Sequence, residues 1–189
     1  DAMKRDFALA AALQTDGRLI VAGRTSNNNG DPTDTLFTRI LSDGLIEVGF
    51  GRNPAYSALD DAAIDIALQA DGKIVLLVAS KGVNMEIALV RLNPDGSLDA
   101  GFGSNGIARN DPGPHDDVPR AVAVQADGRI VVAAQLSAAV GSPDFGLLRF
   151  LADGTPDPGF GTAGVLRVDF FGGFDSANDL LVQPDGRIV

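Results

Sequence analysis

The sequence predicts an all-β protein in which one four-stranded unit is repeated along the chain. Three observations lead to this prediction. An apolar alternating stretch, a Gln, an Asp-Gly turn and a second apolar stretch recur in residues 6–21, 61–78, 117–132 and 175–189. A second series of Asp-Gly turns recurs between them, each followed by Gly-Phe-Gly. No window combines a 3.6-residue apolar period with helix caps, so almost no helix is expected.

Two series of turns set the length of the repeat, since members of the first series are spaced 55 to 58 residues apart. The first series consists of Asp16-Gly17, Asp71-Gly72, Asp127-Gly128 and Asp185-Gly186. The second series consists of Asp43-Gly44, Asp95-Gly96 and Asp153-Gly154, with an Arg four residues earlier (Arg39, Arg91, Arg149) and a Phe in the Gly-Phe-Gly that follows (Phe50, Phe102, Phe160). We therefore divide a single array, 1–189, into repeats 6–60, 61–116, 117–174 and a partial repeat 175–189.

Within one repeat, the second copy shows where the strands lie. In 61–69, Ile64 and Ile66 fall on one face and Ala63 and Asp65 on the other, which is the period of a strand. Residues 73–79 predict a more fully buried second strand, and residues 85–92 a third. Residues 97–110 supply a short fourth strand interrupted by glycines.

Four antiparallel strands in a unit of about 40 to 60 residues are typical of a β-propeller blade. An open β-solenoid is the alternative, but its repeats are usually shorter per coil. In a β-sandwich, the third possibility, the strands would not recur in register. About three and a third repeats bury their faces incompletely, so we predict an open or partial propeller with exposed blade faces and expect further repeats in the parent protein.

Composition excludes several partners and sites. The net charge of −10 and the pI near 4.3 oppose binding to nucleic acid or to an anionic membrane. The absence of Cys excludes disulfides and thiolate metal sites. No apolar run approaches the ~20 residues of a membrane helix, and this segment shows no signal peptide.

The acids that open each repeat, Asp6, Asp61, Asp117 and Asp175, are the candidate metal ligands. Carboxylates recurring at the start of inner strands could ring one mouth of a channel and hold Ca²⁺. We favour a structural interpretation, in which each carboxylate accepts backbone N–H bonds from the preceding turn. No other cofactor is predicted.

Other motifs carry little chemistry. Residues 101–106 and 159–164 match G-x-G-x-x-G, but a dinucleotide site needs a helix next, and Pro112 opposes one. We interpret the Phe residues as anchors between blades. The three Arg residues are expected to pair with an Asp or Glu of an adjacent strand, or to cover apolar surface with their stems. No catalytic residue is predicted. A hydrolase or lyase would need groups that one repeat alone carries, and His115 with Asp116 and Asp117 is the candidate place.

The repeated phrases ALQADGKIV and ALVRLNPDGSLDAGFG of the second copy resemble the bacterial delta-60 repeat family. The first copy departs from the pattern at 46–52. The resemblance implies a β-propeller-like fold and export to the cell surface or exterior, and no enzymatic activity. We therefore expect a non-enzymatic scaffold or binding module, with a protein or glycan ligand at the variable loops 25–34, 80–84 and 137–142. A Ca²⁺-stabilised adhesion module is the alternative.

Overall fold

The computed structural model describes residues 5–26, 34–51, 60–137 and 142–189, which form antiparallel sheets without helix. Blade 1 contains β1 (Arg5–Leu13), β2 (Leu19–Ser26) and β3 (Asp34–Ile40). Blade 2 contains β4 (Asp60–Leu68), β5 (Ile74–Lys81), β6 (Met85–Leu92) and β7 (Ile107–Asn110). Blade 3 contains β8 (Val118–Val124), β9 (Ile130–Leu136), β10 (Asp144–Phe150) and β11 (Val165–Val168). The strands of each blade pair in sequence order, so the predicted all-β blades are confirmed.

The array is not closed, which confirms a partial propeller. The partial repeat adds a hairpin after blade 3, with a bridge between Val182 and Ile188. The inner strand of blade 1, β1, packs through Ala10 and Ala12 against the cluster that it shares with blade 2. No described blade lies on its other side, and Leu9 and Leu13 are 47% and 69% exposed. A fourth strand of blade 1 would fall on 52–59, outside the described residues. The described part of the chain contains no helix with the length and apolar character needed to cross a membrane.

The core lies between blades, because successive side chains of a central strand point to opposite neighbours. Leu76 and Val78 of β5 pack in a cluster with blade 1, which includes Phe37. Val75 and Leu77 pack in the cluster with blade 3. Every residue of 74–78 is at most 2% exposed, so the second strand is buried on both faces as predicted.

Each inner strand contains a β-bulge that the sequence pattern did not reveal. The pairing of β4 with β5 shifts register between Ala63 and Asp65, and the same shift recurs in blades 1 and 3. Strict alternation across 61–69 was therefore wrong at Ile64, since a bulge places one extra residue opposite its partner strand. As a result Ala63 and Ile66, predicted on opposite faces, pack in the same cluster.

Candidate functional site

The first-series turns of all three blades meet around one cavity of about 850 Å³. This volume lies in the range of small-ligand sites. The turn residues at the wall are Gln14–Thr15, Gln69–Lys73 and Gln125–Gly128. The remaining wall is formed by Leu13, Leu68, Val124, Arg91 and Ala152. The cavity thus combines turn backbone, amide and charged groups with an apolar strip contributed by the ends of the inner strands.

The turns owe their shape to the Asp-Gly pair. Gly72 has φ +83°, a conformation that favours glycine, and its N–H donates to the carbonyl of Gln69 at 2.9 Å. The N–H of Lys73 donates to the Asp71 carboxylate at 3.1 Å. The other two turns at the cavity repeat the hydrogen bond to the Gln carbonyl. These bonds fix the backbone on which each Gln side chain is carried.

The three glutamines are the repeated polar side chains of the cavity. Oε1 of Gln14, Gln69 and Gln125 is buried in each case without a hydrogen-bond partner among the described residues. Nε2 of Gln125 donates to the carbonyl of Gly186, in the next repeat, at 3.3 Å. A carboxamide offers two donors and an acceptor, so rotation of its end presents either type of group. The cavity therefore suits a neutral polar ligand that both donates and accepts hydrogen bonds.

The three repeated arginines form part of a second recurrent feature, which we call the Arg–Phe clasp. In blade 2, Nε of Arg91 lies 2.7 Å from the Asp99 carboxylate, and the guanidinium lies 4.3 Å from the centroid of the Phe102 ring. Nη1 donates to the carbonyl of Ala152 in blade 3. The equivalent groups are Arg39, Glu47 and Phe50 in blade 1, and Arg149, Asp157 and Phe160 in blade 3. The acid lies eight residues after the Arg in every copy.

The clasp binds the second-series turn of the following blade. A Cβ on Gly154 would lie 2.8 Å from the Phe102 ring, and one on Gly96 would lie 2.9 Å from Phe50. The N–H of Gly103 also donates to the carbonyl of Asp153 at 2.7 Å. Because no side chain fits between turn and ring at these two positions, Gly96 and Gly154 are required by packing as well as by their positive φ. Phe50 and Phe102 are thus located between blades.

The acids of the clasps are held in their charged form. Burial raises the pKa of Asp99, but hydrogen bonds from Lys73, from the N–H of Gly101 and from Arg91 outweigh it and leave the pKa below its usual value. For Asp157, the hydrogen bond from the N–H of Gly159 is the largest influence on the pKa and lowers it. Burial acts in the opposite direction, and the hydrogen bond and charge of Arg149 lower the pKa further. These residues act as structural ion pairs within the blades.

The four acids that open the repeats do not form one group of ligands. Asp6 is exposed in β1, whereas Asp61 and Asp117 are 3% and 1% exposed. Asp175 does approach two other acids, since one carboxylate oxygen from each of Asp175, Asp144 and Asp169 lies within 4.8 Å of the others. This acid trio could hold a cation, but Nη1 of Arg167 already lies 3.2 Å from Asp144.

Asp117 is the most deeply buried of these acids. Its Oδ1 accepts the N–H of Ser137 at 3.0 Å, from the loop after β9, and its Oδ2 is buried without a partner among the described residues. Burial raises the pKa of Asp117 to about 6. Asp175 instead accepts the N–H of Phe170 at 2.7 Å, from the preceding turn. The expected bond to a preceding turn is thus present at Asp175, while Asp117 is bonded to a later loop.

The place proposed for a hydrolase or lyase shows mainly structural contacts. Oδ1 of Asp116 accepts the N–H of Met85 at 2.7 Å, and its carbonyl accepts the Ser137 hydroxyl. His115 is half-buried, and its Nε2 has no partner among the described residues. Asp116 therefore ties the loop before β8 to blade 2.

The sequence reasoning missed Asp65, which joins two inner strands. Its Oδ2 accepts the N–H of Val122 in blade 3 at 2.8 Å, and its Oδ1 accepts the N–H of Ile66 at 2.8 Å. Burial raises the pKa of Asp65, and the charge of Asp179 adds to the effect. Ala121 occupies the equivalent position in blade 3. Alignment of the repeats would have shown that this position holds an acid in blade 2 and an alanine in blade 3.

Comparison with known proteins agrees with this architecture. The chain is similar to a solved endo-arabinase from Bacteroides thetaiotaomicron VPI-5482, with a TM-score of 0.55 at 14% identity, over 94% of this chain and 66% of that chain, just under two thirds. At this identity the likeness shows the fold alone. No curated protein matches the sequence. A family model described as a domain of unknown function (DUF5122) β-propeller matches residues 14–50, 69–102 and 125–160. Since the matched residues make up more than half of the chain, the protein belongs to the DUF5122 β-propeller family.

Proposed function

We propose that this chain is a non-enzymatic binding module of an exported or cell-surface protein, of the narrower delta-60 type, and that its ligand occupies the cavity at the first-series turns. The observation that carries the proposal is the convergence of one Gln-containing turn from each of three blades on a single cavity. A repeat array that presents the same side chain several times suits a ligand with repeated units. A glycan or an extended peptide has this property.

The chemistry of the wall supports such a ligand. Three carboxamides can pair with hydroxyl or amide groups, while Leu68 and Val124 offer apolar contact. The same wall carries two charged residues of each sign, Lys73 and Arg91 with Asp71 and Asp127. The net charge of −10 supports a partner other than nucleic acid.

The loops that we predicted as the ligand surface join the second and third strands, at the opposite end of the blades from these turns. Most of the first and third loops, residues 27–33 and 138–141, lie outside the described residues. The loop surface therefore stays a prediction. The cavity has the better physical support because its wall is formed by rigid hydrogen-bonded turns.

We expect the double variant Gln69→Ala/Gln125→Ala to lose at least tenfold in affinity for whichever oligosaccharide or peptide binds the parent protein, since two of three repeated amides are removed. The measurement is an array of oligosaccharides and peptides followed by calorimetry with the best binder. Gln135→Ala is the matched control, because Gln135 is half-buried in β9 and does not line the cavity. Unchanged affinity in the double variant would contradict the proposed site.

The same experiment separates a binding module from an enzyme. Arabino-oligosaccharides belong in the array because one solved structure with a similar fold is an endo-arabinase. We expect any bound oligosaccharide to be recovered intact after prolonged incubation, as judged by chromatography. Shortened products that disappear in the variant Asp116→Asn/Asp117→Asn would instead support a hydrolase at the loop before β8.

The acid trio supports a second candidate function, a Ca²⁺-stabilised surface module. This candidate predicts a higher melting temperature in saturating Ca²⁺ than in the presence of a chelator. The reason is that an ion that binds the folded state alone must stabilise the folded state. Asp169→Asn should abolish the rise, since Asp169 is an exposed member of the trio. Asp185→Asn, an exposed acid in a turn, is the control. A melting temperature that Ca²⁺ leaves unchanged eliminates this candidate.

A further inference from the structure

We propose that the Arg–Phe clasp of blade 3 is a docking site for the Asp-Gly turn of a further repeat of the same kind. The site is separate from the cavity described above and does not depend on its ligand. The reason is that the same clasp occurs three times in the chain, and in the first two copies the structure shows what it binds.

The two filled clasps have the same geometry. In blade 1, Nη1 of Arg39 donates to the carbonyl of Pro94 at 2.6 Å, and the Phe50 ring lies against Gly96. In blade 2, Arg91 donates to the carbonyl of Ala152, and the Phe102 ring lies against Gly154. The bound group is in both cases the carbonyl of the residue before Asp, followed by a Gly with φ of +86° or +88°.

The third clasp is built but not filled by the described residues. Nε of Arg149 lies 2.8 Å from Asp157, and the guanidinium lies 4.4 Å from the centroid of the Phe160 ring. No carbonyl of another repeat accepts a hydrogen bond from Arg149 in the described part of the chain. The Arg149 side chain is accordingly 19% exposed, against 7% and 8% for Arg39 and Arg91.

The chemistry of the site fits an acidic turn. In the first filled clasp, hydrogen bonds from Ser97 hold the pKa of Asp95 low, and the charge of Arg39 lowers it further. A turn with Asp therefore places a carboxylate within the field of the clasp arginine. The adjoining Gly must lack a side chain, because its α-hydrogens face the ring. These requirements define the partner as an X-Asp-Gly turn, where X supplies the carbonyl.

Packing around the site favours the third strand and turn of a further repeat over a second copy of this chain. The hairpin of the partial repeat covers blade 3 through Ala177, Leu180 and Ile188. A second copy would have to place its own β1 and β2 where this hairpin lies. Its Asp43-Gly44 turn is nonetheless open, with nothing within 4 Å of a Cβ on Gly44, so self-association is an outcome that the experiment must detect.

The test uses a cyclised hairpin peptide copying Leu92–Asp99, which carries Pro94-Asp95-Gly96, added to the full chain. Cyclisation is needed because isolated hairpins are marginally stable. We expect saturable binding by NMR, with an upfield shift of one Gly96 α-hydrogen caused by the Phe160 ring. A peptide with Gly96→Val should bind at least tenfold more weakly, as should the protein variant Arg149→Lys, which keeps the charge but loses the planar fork.

Arg120→Gln is the matched protein control, since Arg120 is exposed in the same blade. Equal binding of the Gly96→Val peptide, or equal binding to Arg149→Lys protein, would overturn the proposal. So would concentration-dependent dimerisation of the chain in sedimentation that both Gly44→Val and Arg149→Lys abolish, because the occupant would then be a second copy. Peptide binding with the Gly96 shift, lost in both variants and kept in Arg120→Gln, supports it.

Discussion

Replacement of Phe102 by Ala is expected to lower the free energy of unfolding by about 3–5 kcal/mol, the cost of a large-to-small change at a fully buried aromatic position. Phe102 is 0% exposed and lies between the Arg91 guanidinium and Gly154 of the next blade. The variant would lose apolar burial and a cation–π contact worth about 0.5–2 kcal/mol. It would also lose the contact of the ring with the Gly154 turn of the neighbouring blade. Urea denaturation followed by circular dichroism measures the loss.

The chain carries its own matched control for this prediction. Phe160→Ala removes the same side chain from the clasp of blade 3, where the ring is half-buried and has no turn above it among the described residues. We expect a loss of only about 1 kcal/mol there, in proportion to the smaller buried area. Similar losses for the two variants would show that the stability comes from contacts within a blade and not from the clasp between blades.

Much of this architecture could be predicted because the same residue types recur at equivalent positions of the repeats. The Asp-Gly pairs specify turns, since Gly72 and Gly96 both require positive φ. The interpretation of the Phe residues as anchors between blades agrees with the contact between Phe102 and Gly154. The sequence also shows an acid eight residues after each Arg in all three repeats. We nevertheless expected the partner of each Arg to be an acid on an adjacent strand.

Other features depend on geometry that no single column encodes. The bulge at Ile64 has no fixed sequence signature, so the alternating pattern concealed it. The cavity exists because the packing of the blades brings three turns together. The sequence of a single repeat does not specify the angle between blades. Asp117 was one of four equivalent acids in the sequence, yet its burial and its single N–H donor from Ser137 set it apart from exposed Asp6.

The second large effect is expected at this residue: Asp117→Asn should raise the free energy of unfolding by about 1–3 kcal/mol at pH 7.5. Burial raises the pKa of Asp117 in the folded protein from 3.8 to about 6. A pKa raised by folding means that the folded state favours the protonated, neutral carboxyl. The stability associated with that carboxyl is therefore complete below about pH 3.8 and is lost as the pH rises through about 6.

The magnitude follows from the conversion of about 1.4 kcal/mol for each pKa unit, which places the cost of the charged form at up to roughly 3 kcal/mol at neutral pH. Asn removes this cost because it is uncharged, and its Oδ1 can still accept the N–H of Ser137. The gain should accordingly vanish near pH 4, where the parent carboxyl is already protonated. Comparison of variant and parent at each pH isolates the effect, since acids with lowered pKa, such as Asp99, weaken both proteins equally on acidification.

Urea denaturation between pH 4 and pH 8 provides the measurement, with Asp185→Asn as the control. Asp185 is exposed in a first-series turn, and its Oδ1 accepts the N–H of Arg187 at 3.1 Å, a bond that Asn can keep. The control should show a small difference from the parent that does not follow the same pH profile. A gain at Asp117→Asn that is equal at pH 4 and pH 8 would mean that packing, and not the buried charge, limits stability at this position.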